Sequence, residues 1–269
     1  MDHKVAIITG ASSGIGKALA FELAKKSYNV VLAARNINKL DKIQNEINNN
    51  HVDKAIPVQT DITLEGECKR LVEKTIEKFG RIDILINNAG VSMRGLFEYT
   101  DVIVLKKLMD VNFWGMVYTT KFALPYLLKT KGSVVGISSI AGFQGLPGRT
   151  GYSASKFAMH GFLETLRAEN LHTGLHVMVA APGFTATNVR KSALGPDGNP
   201  QGESPREEGK MMSPKKVANI IIHGIKKQKR TIVMTNQGKA TVILKKIAPN
   251  VLDRLTYRIL AKEPHSPFK

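Results

Sequence analysis

The sequence predicts an α/β protein, in which a doubly wound parallel sheet of about seven strands carries helices on both faces. Short apolar runs alternate with longer segments of helical apolar spacing along the chain. The connections between these segments are short, which favours parallel strands joined by helices. The 269 residues, 43% of them hydrophobic, suit one domain with a large core.

The predicted strands and helices follow one another in order. The apolar runs predict strands at residues 5–8, 29–34, 55–59, 84–87, 133–138, 175–180 and 231–234. Pro57 restricts the pairing of the third strand, because proline has no N–H to donate. Helical spacing predicts helices at about residues 17–24, 38–49, 64–79, 105–130, 152–171 and 217–223. Pro125 predicts a kink or a break in the fourth and longest of these helices, unless a break precedes it.

A glycine-rich turn joins the first strand to the first helix. Gly10 lets the chain turn sharply, Gly14 lets the backbone approach a ligand, and Gly16 lets the helix pack on the strand. The helix N-terminus offers N–H groups and partial positive charge to a pyrophosphate, and Ser12 and Ser13 add hydroxyl donors. The pattern predicts a Rossmann-like dinucleotide site, with a glycine turn that binds nothing as the alternative.

The positive charge is concentrated at the C-terminal end. Residues 215–269 hold 13 Lys and Arg against two Asp and Glu, which is +11 of the total net charge of +17. Apolar and basic residues alternate over residues 239–260 and predict a pair of amphipathic helices broken at Pro249. We therefore expect a catalytic domain at residues 1–238 and a basic amphipathic extension at residues 239–269.

Three interpretations of this extension remain open. It can pack against its own domain or a second subunit, lie on an anionic membrane surface, or bind nucleic acid. We expect packing first and peripheral membrane contact second. Nucleic acid comes last, because no aromatic interleaving or known binding motif is visible.

Other features favour a cytoplasmic protein, and a peripheral location at a membrane surface is the alternative. Cys68 is the only cysteine, so there is no disulfide framework. The residues before the first strand leave no room for a signal peptide, and no apolar run is long enough to span a bilayer. The histidines lack metal-ligand spacing, so we expect no metal.

A tyrosine and a lysine form the candidate chemical centre. Tyr152 and Lys156 are four residues apart and share a helix face. A free phenol has a pKa near ~10, and a nearby ammonium favours the phenolate, which brings Tyr152 into range as a general acid/base. Ser139 ends the fifth strand, and its hydroxyl can hold a carbonyl or alcohol oxygen. An exposed tyrosine and lysine at a helix start are common, so this pair alone does not establish a site.

Six motifs occur together in one order. They are Thr9-Gly10-x-x-x-Gly14-x-Gly16, Asn87-Asn88-Ala89-Gly90, Asn112, Ser139, Tyr152-x-x-x-Lys156 and Pro182-Gly183-x-x-x-Thr187. With these motifs the chain resembles the short-chain dehydrogenase/reductase family, closely over residues 4–187 and more loosely to residue 235.

The resemblance implies a catalytic set of Asn112, Ser139, Tyr152 and Lys156. Tyr152 would pass the proton, and Ser139 would orient and polarise the substrate oxygen. Lys156 would lower the tyrosine pKa and bind the nicotinamide ribose hydroxyls. Asn112 would hold a water that links Lys156 to solvent, while hydride transfer belongs to the cofactor.

The remaining motifs fit as cofactor contacts. Asp61 would bond the adenine amino group with Ile62 against the ring, although Asp61 can equally cap the next helix. Thr187 would lie near the carboxamide or the phosphates. The full set of expected contacts is Gly10, Ser12, Ser13, Gly14, Ile15, Gly16, Arg35, Asp61, Ile62, Asn88, Ala89, Gly90, Tyr152, Lys156, Pro182, Gly183, Thr185 and Thr187.

The end of the second strand favours NADP(H) over NAD(H). An NAD site usually has a carboxylate there for the ribose 2′-hydroxyl, but this strand ends Ala33-Ala34-Arg35-Asn36. Arg35 can hold a 2′-phosphate. Ser13 stands where many NADP-using relatives carry a second basic residue. With NADP, the cellular supply of NADPH favours carbonyl reduction.

The substrate side is less specific. Residues 186–212 look like a mobile lid over the site. Arg94 and Arg149 can recognise an anionic substrate, but we expect both on the solvated surface. We expect Phe97 and Leu146 to be core residues rather than pocket residues. The apolar candidates for the pocket wall are Met93, Leu96, Phe97, Phe143, Leu146, Pro147 and Phe184.

The predicted function is that of an NADP-dependent oxidoreductase. It would transfer hydride to a ketone or aldehyde, or from the secondary alcohol, with Tyr152 as general acid/base. We expect a small carbonyl substrate of apolar character and a homo-oligomer, either a dimer or a tetramer. The alternative is a catalytically idle NADP(H)-binding sensor or scaffold that docks through its basic tail, but the intact Asn-Ser-Tyr-Lys set argues against it.

Overall fold

Seven parallel strands form one sheet in the order β3-β2-β1-β4-β5-β6-β7. The computed structural model describes residues 3–51, 54–187, 189–202, 211–264 and 266–268. The predicted α/β class is confirmed, because the strands lie where the apolar runs predict them. The strands are β1 Val5–Thr9, β2 Asn29–Ala34, β3 Ala55–Gln59, β4 Ile84–Asn87, β5 Ser133–Ile137, β6 His176–Ala181 and β7 Thr231–Val233.

Helices cover both faces of this sheet. Along β1, Ala6 and Ile8 join the cluster under α1, α2 and α7, whereas Val5 and Ile7 join the cluster under α3, α5 and α6. Successive strand residues point to opposite faces, so a strand buried on both sides is a continuous apolar run. The helices are α1 Gly14–Ala24, α2 Ile37–Asn48, α3 Glu65–Phe79, α4 Val102–Met109, α5 Gly115–Thr130, α6 Thr150–Glu169, α7 Pro214–Lys226, α8 Asn236–Ile247 and α9 Pro249–Ala261.

The strand order positions a ligand site. The chain winds outward from β1 to β3 and then crosses back to β4 on the other side of β1. In such a sheet the crevice outside the carboxyl ends of β1 and β4 is where ligands bind. Pro57 lies on β3, which is one of the two edge strands of the sheet. A proline is tolerated on an edge strand.

The helical stretch predicted at residues 105–130 is present in the structure, but it contains one turn of wider geometry. The structure has α4, a π turn at Asp110–Trp114 and then α5, while Pro125 lies inside α5 without ending it. The apolar face of α5 is buried at Ala123 and Leu127 on either side of the proline. This tertiary burial outweighs the single backbone hydrogen bond that a proline removes.

The basic extension folds back on its own domain. Thr235 caps α8 by accepting the Gly238 N–H at 3.1 Å. On α9, the Asp253 carboxylate accepts a hydrogen bond from Gln144 Nε2 at 2.7 Å. The extension therefore contacts its own domain through α9. Among the described residues, no helix has the length and apolar character needed to cross a membrane.

Candidate active site

Tyr152 and Lys156 lie on one face of α6, at the edge of the sheet where β5 ends. Lys156 Nζ donates to the carbonyl of Ile137, the last residue of β5, at 2.9 Å. The same nitrogen lies 5.8 Å from the centre of the Tyr152 ring. Ser139 lies two residues after the end of β5, and hydrogen bonding of its side chain with Tyr152 is one of the influences that lower the pKa of the phenol. The structure therefore brings Ser139 and Lys156 close to the phenol of Tyr152, and these are three of the four residues expected to be catalytic.

The surroundings of Tyr152 are mostly apolar. The ring packs against a buried cluster of Met93, Val104, Leu108 and Leu194. Burial raises the pKa of the Tyr152 phenol, while the Ser139 hydrogen bond and the positive charge of Arg149 oppose that increase. This differs from the expectation that Lys156 lowers the phenol pKa toward neutrality. Without a cofactor the phenol therefore stays protonated at neutral pH. The positive charge that lowers its pKa is that of Arg149 and not that of Lys156.

Lys156 is buried, and its ammonium loses its proton more readily than that of an exposed lysine. Only 4% of the residue is exposed, and burial lowers the pKa of Lys156 to about 8. A low-dielectric environment penalises the charged form of a lysine. The lysine can therefore change protonation near physiological pH.

Asn112 links three segments around the site. Its Nδ2 donates to Val91 O and to Ser155 Oγ, both at 2.9 Å, and its Oδ1 accepts from Val91 N–H at 2.8 Å. A methyl group on Gly90 would lie 3.0 Å from Asn112 Oδ1 and 3.7 Å from Lys156 Nζ. The backbone after β4 thus runs close beside both side chains, and glycine permits that approach.

A serine–histidine pair lies next to the residues expected to be catalytic. Ser138 Oγ and His160 Nε2 are 2.6 Å apart, and both residues are buried. His160 also packs edge-on against Phe143, with ring centres 4.5 Å apart. Burial, and secondarily the charge of Lys156, lower the pKa of His160 to about 4. Sequence reasoning missed this pair, although His160 lies one helical turn beyond Lys156 on the same face.

The glycine turn is fixed to the strand beside it. Thr9 Oγ1 accepts the N–H groups of Asn88 and Ala89, each at 3.0 Å. Asn88 Nδ2 donates to the carbonyls of Thr9 and Gly10 at 2.9 and 3.2 Å. Gly10 has φ +64°, and a methyl group there would lie 2.8 Å from Ala89 Cα. Only glycine satisfies both constraints.

The start of α1 suits a phosphate. Ser13 is the N-cap residue, exposed and extended, and its side chain makes no cap hydrogen bond. The first helical N–H groups, those of Gly14, Ile15 and Gly16, have no intrahelical acceptor. A methyl group on Gly16 would collide with the Gly10 carbonyl, so helix and strand pack in close contact. Ser12 is half-buried in this turn, and the Ile15 side chain packs into the core.

The other end of the crevice carries Arg35, which is exposed at the end of β2. Asp61 follows β3, and its Oδ1 accepts the backbone N–H and the hydroxyl of Thr63 at 3.0 and 2.8 Å. The N-cap residue of α3 is Leu64, so Asp61 stabilises the preceding turn rather than capping the helix as expected. Ile62 is buried, and its side chain packs where Gly115 has no side chain.

The segment after β6 reaches back to the glycine turn. Pro182 and Gly183 follow the strand directly, and Thr185 is buried with its hydroxyl donating to Gly183 O at 2.9 Å. The Thr187 side chain is the nearest group to a methyl placed on Gly14, at 3.0 Å. Thr187 therefore lies at the start of α1, on the phosphate side of the crevice. Of the predicted lid at residues 186–212, residue 188 and residues 203–210 lie outside the described part of the chain.

The wall beside Tyr152 is built from three loops. Arg94 N–H donates to Leu194 O at 2.9 Å, and Gln201 Nε2 donates to Arg94 O at 2.8 Å. Gly95 N–H donates to Gly148 O at 2.9 Å. Met93 is buried in this wall, whereas Leu96, Phe143, Leu146 and Pro147 are half-buried and Phe184 is exposed.

Three expectations for the substrate side need correction. Phe97 is 60% exposed, so it is not a core residue; it lies in a short 3₁₀ turn at the surface. Arg94 and Arg149 are not solvated either. Arg149 Nη2 bonds Glu263 Oε2 at 2.9 Å, and Arg94 Nη2 lies 3.8 Å from the same oxygen. The partner is 114 residues from Arg149, so no local sequence pattern indicates it.

Side chains that bind metals do not cluster in the described part of the chain. No group of three or more His, Cys, Asp or Glu side chains there could hold a metal ion.

Comparison with known proteins gives consistent matches. The family model for short chain dehydrogenase matches residues 4–196. The chain is 35% identical over 253 residues to 11-beta-hydroxysteroid dehydrogenase-like 4A of Arabidopsis thaliana, covering 94% of this chain and 83% of that protein.

Solved structures share the fold. A short chain dehydrogenase/reductase from Burkholderia phymatum, in complex with NAD, superposes with a TM-score of 0.82 at 25% identity, covering 93% of this chain and 95% of the other. An alcohol dehydrogenase from Thermococcus sibiricus, complexed with 5-hydroxy-NADP, superposes with a TM-score of 0.74 at 24% identity, covering 86% and 95%.

Proposed function

The chain belongs to the short-chain dehydrogenase family, and from that membership we propose that it is an NADP-dependent carbonyl reductase that uses Tyr152 as its general acid. At the coarser level it is an oxidoreductase that uses a nicotinamide cofactor and acts on the CH–OH group of donors. The proposal adds the cofactor preference, the direction and the proton donor.

One observation carries the proposal. Tyr152, Lys156 and Ser139 meet at the end of β5, beside a glycine turn that leads into a helix N-terminus. A proton donor at the carboxyl edge of a parallel sheet, next to a phosphate-binding turn, suits redox chemistry on a small carbonyl. The turn fits a dinucleotide, because the start of α1 presents N–H groups and the residues there are small.

In reduction, the chain handles the proton and the oxygen. The bound cofactor supplies the hydride for the carbonyl carbon and is oxidised in doing so. Tyr152 donates its proton to the carbonyl oxygen, which becomes the alcohol. Ser139 Oγ accepts the Ala141 N–H at 3.2 Å, which holds the hydroxyl in place to donate to the same oxygen. The buried phenol is protonated at neutral pH, as a general acid must be.

Lys156 and Asn112 take supporting roles. Lys156 would bind the ribose hydroxyls through its ammonium. Its contact with Ile137 O and its position beside Gly90 support this role. Asn112 holds the backbone at Val91 against α6 through Ser155. The two side chains thereby keep the ribose side of the crevice in a fixed shape.

Arg35 supports the choice of NADP. It is exposed at the end of β2, where a carboxylate would repel a 2′-phosphate and a guanidinium can bind it through two charge-assisted hydrogen bonds. The cofactor contacts proposed for Asp61, Ile62 and Thr187 follow the family resemblance.

The substrate we propose is a small carbonyl compound of apolar character. Met93, Val104, Leu108 and Leu194 surround the phenol and offer no charged group to a substrate. The similarity to a hydroxysteroid dehydrogenase-like protein agrees with an apolar substrate.

We also propose a homo-oligomer and a peripheral membrane contact. Exposed apolar side chains at Val102, Ile103, Trp114 and Phe157 favour subunit contact, which light scattering on purified protein tests. On α8 and α9, exposed apolar side chains alternate with basic ones, which suits an anionic membrane surface. Co-sedimentation with anionic liposomes at low and high salt tests this contact, and an unbound protein at low salt would contradict it.

The deciding experiment measures NADPH consumption against a panel of ketones and aldehydes. If the protein is an NADP-dependent reductase, we expect turnover with NADPH and much slower turnover with NADH. A protein that binds NADPH tightly and turns over no carbonyl compound would instead be the sensor or scaffold considered as the alternative.

A further inference from the structure

Three consecutive residues at the carboxyl end of β5 each contact one stripe of side chains on α6. Tyr152, Lys156 and His160 form this stripe, because residues four apart share a helix face. Lys156 Nζ bonds the last carbonyl of β5, and Tyr152 is hydrogen-bonded by Ser139. Between these two contacts, His160 Nε2 lies 2.6 Å from Ser138 Oγ. The proposed function uses the first two contacts and leaves the third without a role.

The serine of this third contact is held from two sides. Ser138 and His160 are both buried, so little water competes for the bond between them. The Ser138 N–H donates to Ala180 O at 2.7 Å, which continues the pairing of β5 with β6 one residue beyond the strand. The residue before Ser139 is therefore fixed by its backbone to β6 and by its side chain to α6.

The turn that Ser139 begins lies directly against the pair. Ser139 is the N-cap residue of a short 3₁₀ turn, and its Oγ accepts the N–H of Ala141 in that turn at 3.2 Å. A methyl group on Gly142, the last residue of the turn, would lie 2.5 Å from His160 Nε2 and 2.7 Å from Ser138 Oγ. The pair therefore contacts the chain on both sides of Ser139.

The pair acts on its surroundings through position and not through charge. Burial, and secondarily the charge of Lys156, lower the pKa of His160 to about 4, so the imidazole is uncharged at neutral pH. The Ser138 hydroxyl is neutral as well. A neutral imidazole nitrogen can bond a hydroxyl either as donor or as acceptor. The bond therefore adds no charge beside Tyr152.

We propose that Ser138 and His160 are positioning residues that hold the Ser139 hydroxyl where it meets the oxygen of a carbonyl substrate. This inference rests on the proposed function, in which Ser139 orients and polarises that oxygen. The pair bonds the strand end to α6, which carries Tyr152, and packs against the 3₁₀ turn. The spacing between the orienting hydroxyl and the proton donor thus depends on a bond that touches no reacting atom.

A second buried serine–histidine pair in the chain provides a matched control. Ser133 Oγ and His176 Nδ1 are 3.1 Å apart at the start of β5, and both residues are buried. Ser133→Ala and Ser138→Ala therefore remove the same hydroxyl from opposite ends of one strand. Both variants should unfold at a lower urea concentration than the wild type, but only Ser138→Ala should lose activity.

The test is the kcat of NADPH-dependent carbonyl reduction in single and double variants. We expect kcat to fall about 10- to 100-fold in Ser138→Ala, with an unchanged Kd for NADPH. His160→Leu should lose a similar factor, whereas His160→Gln, whose amide can replace the ring nitrogen, should recover most of it. In a Ser139→Ala background, Ser138→Ala should cause no further loss, because the pair acts through that hydroxyl.

Three kinetic results would overturn the inference. They are a wild-type kcat in Ser138→Ala, an equal loss of kcat in Ser133→Ala, and a further loss of the same factor when Ser138→Ala is added to Ser139→Ala. The third result would assign the pair a structural role that does not pass through the Ser139 hydroxyl.

A second measurement separates this inference from the proposed function. Amide hydrogen exchange at Ala141 reports on its bond to Ser139 Oγ without any turnover. We expect exchange about 10-fold faster or more in Ser138→Ala and His160→Leu, and an unchanged rate in Ser133→Ala. That result supports the inference even if the wild type reduces no carbonyl compound. Unchanged exchange in both variants would overturn the inference and leave the reductase intact.

Discussion

The Asn112 side chain forms a two-way amide pair with the backbone of Val91, 21 residues earlier in the chain. Its Nδ2 donates to Val91 O at 2.9 Å and its Oδ1 accepts from Val91 N–H at 2.8 Å. The π turn at Asp110–Trp114 is where this contact is made. π turns inside α-helices occur frequently at functional sites. The local irregularity of the helix thus serves a contact between α6 and the loop after β4.

Removing this amide should destabilise the protein. Asn112→Ala leaves the Val91 N–H and carbonyl without their partner inside the protein. It also removes one of the two partners of the Ser155 hydroxyl, which still donates to Tyr152 O. We expect a loss of about 2–4 kcal/mol in the free energy of unfolding, measured by urea denaturation. Asn170→Ala, which removes one half-buried hydrogen bond to Leu166 O, should cost about 1 kcal/mol. Equal losses in the two variants would contradict the bridging role.

His160 should make the free energy of unfolding depend on pH in the acid range. Its pKa is lowered to about 4, below the ordinary value of 6.5, so the unfolded chain binds the proton more readily between these values. Stability is therefore lost as the pH falls from 6.5 toward 4, by about 3 kcal/mol in total from this group. His160→Gln should remove that part of the pH dependence, whereas His172→Gln, at an exposed position, should retain it. Denaturation curves across this range would count against the assignment if His160→Gln and the wild type lost stability in parallel.

The buried charge of Lys156 should lower the free energy of unfolding, although the residue is needed for activity. Burial lowers its pKa from 10.5 to about 8, so the folded state carries a penalised charge at pH 7. We expect Lys156→Met to raise the free energy of unfolding at pH 7 by about 1–3 kcal/mol and to abolish turnover. In the wild type, stability should rise as the pH increases from 8 to 10.5, because the folded lysine loses its proton first. Lys106→Met, at an exposed site on α4, is the control. A destabilised Lys156→Met at pH 7 would show that the lysine charge is compensated after all.

Arg35 should decide between the two nicotinamide cofactors. Arg35→Ala removes the guanidinium at the end of β2, and we expect the Kd for NADPH to rise by about 10- to 100-fold. The Kd for NADH should change little, since that cofactor has no 2′-phosphate. Calorimetric titration of both cofactors checks this, with Arg254→Ala on α9 as an exposed control. A wild-type protein that bound NADH and NADPH equally well would argue against the assignment.

The sheet and the motif residues were predictable because their signals are local. A strand buried on both faces is a continuous apolar run, and the strand-end residues follow those runs in the sequence. The glycine turn was also predictable, because Gly10 at φ +64° needs glycine for its own backbone.

The features that were missed depend on distant partners. The π turn is tied to Val91, and Arg149 meets Glu263 across 114 residues. The effect of burial on the Tyr152 phenol was not predicted, because Tyr152 and Lys156 at helical spacing suggest only mutual influence, whereas burial has the largest effect on the phenol pKa in the folded chain. Such effects arise only when the chain is packed.

The central claim is that Tyr152 gives the proton that completes hydride transfer to a carbonyl carbon. The most direct measurement uses NADPH that carries deuterium in place of both C4 hydrogens, and follows the label into the alcohol product by mass spectrometry. It compares wild type with Tyr152→Phe, with Tyr99→Phe as an exposed control. We predict one deuterium per product molecule, a rate about 10²- to 10⁴-fold lower in Tyr152→Phe, and unchanged NADPH binding. Labelled product formed by Tyr152→Phe at the wild-type rate would contradict the account.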